Sequence, residues 1–176
     1  MVRWKLTIEY DGRPFNGWQS QKDKSGVQDY VCKAIKDFSK EDVKIFTAGR
    51  TDSGVHARGQ VSHIDLERET DANEMREALN SHLKPHPIAV IDVLEVSDDF
   101  HARFSAIKRH YKYGIINRRA PLTFDKGKYW RVGRKLNIDS MITASEHLIG
   151  HHDFTTFRSS HCQSKSPSKT INEIII

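Results

Sequence analysis

Trp4, Leu6, Ile8 and Tyr10 alternate with Lys5, Thr7 and Glu9, a period of two that predicts a strand with one face buried. Beyond the turn residues Asp11-Gly12-Arg13-Pro14, the positions Val27, Tyr30, Val31, Ala34, Ile35 and Phe38 recur at helical spacing. Ser25 and Gln28 stand where a capping box would start that helix. Residues 43–47 and 60–66 read as two further strands, joined by a loop around Asp52-Ser53-Gly54. Asp71 with Glu74 opens a second helix whose Met75, Ala78, Leu79 and Leu83 form one stripe, and Lys84-Pro85-His86-Pro87 ends it. Residues 88–96 are dense in Val and Ile and predict a buried strand.

The order is therefore β-α-β-β-α-β, that of a split βαβ, ferredoxin-like half: an antiparallel sheet with both helices on one face, in an α+β fold. It spans residues 1–107. A second half begins at residue 108 with a strand at Tyr111, Tyr113 and Ile115. An irregular basic segment follows, then a helix carrying Ile138, Met141, Ile142, Ser145, Leu148 and Ile149 and stopped by Gly150. Residues 170–176 predict one more strand. This half, residues 108–176, reaches only β-α-β before the chain ends on Ile174-Ile175-Ile176. It reads as incomplete, because an apolar edge strand with no polar tail invites pairing.

The 176 residues, 37% hydrophobic and 29% charged, with ten Gly and five Pro, exclude collagen-like, low-complexity and disordered classes. No run of 18 apolar residues is present, so membrane spanning and a signal-peptide core are not expected. Cys32 in a helical pattern and Cys162 in a polar loop make neither a disulfide framework nor a metal spacing, and a reducing cytoplasm is the default. The net charge of +5 says little until it is located. Residues 108–135 hold ten Lys/Arg against Asp125 alone, with Tyr111, Tyr113, Tyr129 and Trp130 interleaved. Cations for phosphates beside rings for bases make a nucleic-acid footprint, whereas a solvated basic hairpin is the bland alternative.

Ala48-Gly49-Arg50-Thr51-Asp52-Ser53-Gly54-Val55-His56-Ala57 is the most distinctive segment. If Arg50 and Asp52 are extended they share a face, and a guanidinium beside a carboxylate favours the ionised form that a nucleophile or base needs. A turn-capping Asp with a surface Arg is the competing reading. His56 and His63 flank the loop and read as structural hydrogen bonders, with proton shuttling as the alternative. Phe15 and Trp18 read as loop anchors, with contact to RNA as the alternative. Cys32 reads as a small core residue. His151-His152-Asp153 and His161-Cys162 lack paired metal-ligand spacing, and no metal is expected.

Together, residues 10–21 (YDGRPFNGWQSQ), 48–63 (AGRTDSGVHARGQVSH), 100–106 (FHARFSA), 109–113 (RHYKY), 153–158 (DFTTFR) and 162–171 resemble, in order, the motifs of the tRNA pseudouridine synthase A family. That resemblance implies isomerisation of uridine to pseudouridine at positions 38, 39 and 40 of the tRNA anticodon stem-loop, without cofactor or metal, by a homodimer. Asp52 corresponds to the family's catalytic aspartate, acting on ribose or base, or as a base in a glycal route. Arg50 corresponds to the arginine paired with it, and Tyr111 to the tyrosine that packs on the target uracil. Arg109, Lys112, Arg118, Arg119, Lys126 and Lys128 are the expected RNA contacts. Family members continue past this point to complete the second half, which implies an incomplete active cleft and doubtful activity in the short chain alone. A non-catalytic RNA-binding ferredoxin-like module is the alternative function.

Overall fold

The computed structural model describes residues 1–158 and 166–176 and divides into two compact units, Met1–Tyr111 and Lys112–Ile176. The architecture is mixed α+β. In the first unit, β1 (Val2–Tyr10), α1 (Val27–Ser39), β2 (Phe46–Thr47), β3 (Ala57–Leu66), α2 (Ala72–Leu83) and β4 (Ile88–Val96) follow one another. The sheet order is β2-β3-β1-β4, and each neighbouring pair is antiparallel.

The alternation predicted for β1 is realised: Trp4, Leu6, Ile8 and Tyr10 are buried. They form one core with Val27, Val31, Ala34, Ile35 and Phe38 of α1 and Met75, Leu79 and Leu83 of α2, so both helices cover the same sheet face. Burial of these side chains, at roughly 1.5–3 kcal/mol each, is the main term holding the unit together.

Several local expectations change. The capping role assigned to Ser25 and Gln28 belongs to Gly26 and Asp29: Gly26 is the N-cap, and the Asp29 carboxylate accepts from its backbone N–H at 3.1 Å. Asp71 caps α2 as predicted, accepting from the backbone N–H groups of Asn73 and Glu74. The strand expected over 43–47 shrinks to Phe46–Thr47. β4 is not buried on both faces. It lies at the sheet edge, where Ile88, Val90 and Val93 point into the core while Ile91 and Leu94 are exposed. The register with β1 slips between Thr7 and Ile8, opposite Ile91, and a bulge of this kind re-aims the side chains that follow it.

In the second unit, β5 (Ile115–Asn117) pairs in parallel with β6 (Trp130–Val132), and β7 (Gly150–Asp153) pairs antiparallel with β8 (Ser168–Ile171). α3 (Ile138–Glu146) lies between the two pairs in sequence, capped by Asn137, whose side chain accepts from the Ser140 N–H. The strand predicted from Tyr111 starts only at Ile115. The one predicted over 170–176 runs from Ser168 to Ile171 and stops, because β7 offers only four residues to pair with. Val132 is the buried large hydrophobic of this unit among the described residues, while Tyr113, Phe124 and Trp130 are exposed. No helix is long and apolar enough to cross a membrane among the described residues.

Candidate active site

The loop from Ala48 to His56 joins β2 to β3 and lies against the loop that leaves β1, residues 11–18. The two are stitched together through backbone N–H groups. The Trp18 N–H donates to the Thr51 carbonyl at 3.0 Å and the Gly54 N–H to the Phe15 carbonyl at 3.4 Å, while the Gly12 N–H donates to His56 Nδ1 at 3.2 Å. Two glycines make this approach possible. A Cβ on Gly12 would sit 2.1 Å from the Val55 carbonyl oxygen, and one on Gly17, which has φ +78°, would sit 2.6 Å from that of Thr51; no other residue fits either position.

Side chains secure the same contact. Tyr10 Oη and Thr51 Oγ1 are 2.8 Å apart, and burial raises the Tyr10 phenol above its ordinary pKa, with the Thr51 bond pulling the other way. Asp11 takes bonds from the Arg13 side chain and backbone, which hold its carboxyl down at about 2, and it lies 3.1 Å from His56 Nδ1. Phe15 and Trp18 are 3% and 1% exposed. They are anchors, and a direct contact of these rings with RNA is ruled out by their burial.

The far side of the loop is held as well. The Ala48 N–H donates to the Val61 carbonyl, the Gln60 amide donates to Thr47 Oγ1 and the Gly49 carbonyl, and Arg109 Nη2 donates to the Ala48 carbonyl at 2.8 Å. The backbone is thus fixed at 48, 49, 51 and 54, while the side chains of Arg50 and Asp52 are exposed. Neither residue is in a strand, so the shared-face argument from an extended pair does not apply; a clamped turn presents them instead. Of the other candidates in the first unit, Arg109 touches this loop, and Tyr111, two residues on, is 79% exposed.

In the second unit Lys112, Arg118, Arg119, Lys126 and Lys128 are all exposed. Arg118 Nη2 donates to the Pro121 carbonyl, and Arg131 Nη1 to that of Arg119. Arg118 and Arg119 line a cleft of about 580 Å³ together with Asn117, Gly133, Arg134 and Lys135. Asn117 organises this wall, donating to the Val132 and Arg134 carbonyls and accepting from the Leu136 N–H. Arg134 and Lys135 are visible in the sequence only as part of the basic run; their place in a cleft depends on Asn117, which carries no charge signal.

Among the described residues no group of three His, Cys, Asp and Glu side chains is placed to hold a metal ion. His151 pairs with Thr170, His152 with the Ile149 carbonyl, and Asp153 accepts from Thr155; His161 and Cys162 lie outside the described residues. Burial pushes the Cys32 thiol up to about 11, consistent with an unreactive packing residue.

Comparison with known proteins identifies the family. The family model described as tRNA pseudouridine synthase matches residues 6–105 and 144–176. The chain is 54% identical over all 176 residues to a tRNA pseudouridine synthase A of Parvibaculum lavamentivorans, covering 72% of that relative. It is 52% identical over 176 residues to that of Maricaulis maris, covering 71% of it, and 53% identical over 174 residues, or 99% of this chain, to that of Bradyrhizobium diazoefficiens, again covering 71% of the relative. A match of this extent, over a chain whose distinctive loop is clamped around an exposed aspartate, makes this protein a member of the tRNA pseudouridine synthase family, enzymes that isomerise uridine to pseudouridine in tRNA.

Proposed function

We propose that Asp52 is the catalytic aspartate, with Arg50 its partner and Tyr111 the ring that packs on the target uracil, and that the targets are uridines 38, 39 and 40 of the anticodon stem-loop. The observation that carries this reading is the loop itself: its backbone is bonded on both sides of Asp52 while the carboxylate is left at the surface. Rigid backbone under an exposed reactive group is what a positioned nucleophile or base requires.

The chemistry needs such a group. Pseudouridine forms when the N1–C1′ bond breaks, the uracil turns, C5 bonds to C1′ and the C5 proton leaves for N1, so no atoms are gained or lost. A base inside a helix cannot turn, and must first be extruded into a pocket. Asp52 acts either by attack on ribose or base, or by taking a ribose proton to give a glycal. Arg50, exposed in the same turn, supplies a positive charge that holds the extruded nucleotide. Tyr111, with an exposed ring, offers a face for that base.

The strand order β2-β3-β1-β4 with both helices on one face supports a ferredoxin-like first half, residues 1–107, followed by a second half from 108 that carries the RNA-binding segment. In that segment Arg118 and Arg119 line a basic cleft, to which Lys112, Lys126 and Lys128 add further exposed charge for phosphates. The enzyme works as a homodimer in the cytoplasm, where its tRNA substrate is. Replacing Asp52 by Asn tests the central claim in a pseudouridine assay on unmodified tRNA. Turnover is expected to vanish while tRNA affinity is retained. Unchanged turnover removes Asp52 from the chemistry, and binding without turnover in the parent protein favours a non-catalytic RNA-binding module.

A further inference from the structure

His63 occupies an unusual position. It lies on the face of β3 opposite the helices, yet it is 1% exposed, because residues 98–105 cross over it as a strap. The Ala102 N–H donates to His63 Nδ1 at 3.1 Å. The ring stacks on Phe46 at 4.9 Å, 9° from parallel, and meets the edges of Phe100 and His101. An Nδ1 that accepts a bond must be unprotonated, so the ring is neutral with its proton on Nε2.

Both segments that His63 grips lead to the Asp52 loop. Phe46, its cross-strand partner in β2, lies two residues before Ala48. The strap continues to Arg109, whose guanidinium closes on the Ala48 carbonyl. Arg3 fastens the start of the strap through the Asp98 and Phe100 carbonyls and is itself held by Asp65. His63 therefore sits where the two arms of the closure around residue 48 diverge.

We propose that neutral His63 is a positioning residue for the isomerisation: it sets the strap and β2 against each other so that Arg109 and the Asp52 loop meet, and protonation releases the strap. This rests on the Asp52 reading for its effect on turnover, though not for its geometry. The surroundings disfavour an imidazolium. Burial is the largest effect, followed by the nearby Arg3 charge and His101; Asp65 alone opposes them. Lys5 is the cross-strand partner on β1, and Lys44 lies over the Phe46 ring at 4.9 Å. Acid must therefore charge a ring with more cations than anions around it, at the nitrogen that holds Ala102.

Two measurements test this. In the first, nitrogen-15 NMR of the chain should show His63 as the Nε2–H tautomer at neutral pH with a protected Ala102 amide. Both signatures should disappear together as pH falls below the ordinary histidine range. An Nδ1–H tautomer, or an Ala102 amide indifferent to that titration, overturns the proposal without touching the Asp52 reading. The second compares His63→Asn, whose Oδ1 stands near Nδ1 and still accepts from Ala102, with His63→Phe, which keeps the stack and loses the acceptor. Loss of alignment predicts that His63→Phe lowers kcat by about ten- to a hundredfold with KM for tRNA nearly unchanged. His63→Asn should restore kcat and flatten the acid side of the pH profile. Failure of Asn to rescue, or equal effects on kcat and KM, assigns His63 a purely structural role.

Discussion

Tyr10 ends the first strand with its ring in the core and its hydroxyl on Thr51, so one side chain couples sheet packing to the reactive loop. Tyr10→Phe keeps the ring and removes the bond. The expected cost is about 1 kcal/mol, read as a lower melting temperature, with a larger proportional fall in pseudouridine formation, because the residue beside Asp52 loses its tether. Gly12 acts through space alone. An alanine there would place its Cβ 2.1 Å from the Val55 carbonyl oxygen, and the two loops must part to admit it. Overpacking of this kind costs about 1–3 kcal/mol; Gly12→Ala should cost more activity than stability, and a variant with full turnover would show that the clamp is dispensable. Cys32 marks the opposite case, a side chain with no chemistry. With its thiol pushed up to about 11 by burial, it should react with a thiol reagent at neutral pH far more slowly than a free cysteine does.

At the scale of elements, what the sequence reveals depends on how local the cause is. The first strand and both helices of the first unit are legible because burial of one stripe or one face determines their period, and Asp71 can be named as a cap from its spacing to Glu74. Asp71→Ala should lower stability by about 1 kcal/mol in a denaturant titration. The cap of the first helix is misread because its signal is Asp29 reaching back to Gly26, and Ser25-x-x-Gln28 imitates that pattern one residue early. Ile91 and Leu94 look like core because β-branched density does not say which strand will lie at an edge; the sheet order decides that. The candidate loop is conspicuous as a string of residues, but its clamp is not. Gly12 and Gly17 lie more than thirty positions from the carbonyls they approach, and His63 meets Ala102 from 39 positions away. Only the folded sheet brings such partners together.

For the whole molecule, acid acts at two separate points. Asp11 is held at about 2 by Arg13, and Asp65 is lowered chiefly by the Arg3 bond. A carboxyl with a depressed folded pKa contributes stability above its ordinary value near 3.8, and that contribution is lost as pH falls toward the folded value. His63, depressed by burial, behaves alike in sign but at higher pH: the unfolded chain takes its proton first, near 6.5, so stability declines from there as pH falls. Melting temperature against pH should therefore drop in two steps, and His63→Asn should erase the upper one alone. Salt probes a different part of the molecule. The basic run from 108 to 135 carries a net charge of +9, and a bound polyanion must release about one counterion for each phosphate it neutralises. Changing Arg118, Arg119, Arg134 and Lys135 around their cleft to Gln should lower the slope of log affinity for tRNA against log salt by about one unit for every phosphate left without its cation. Asp52→Asn, which removes chemistry and no phosphate partner, should leave that slope where it was. If the quadruple change leaves the slope intact, the cleft lies outside the interface; if it abolishes the slope, this one wall carries the electrostatic grip on tRNA.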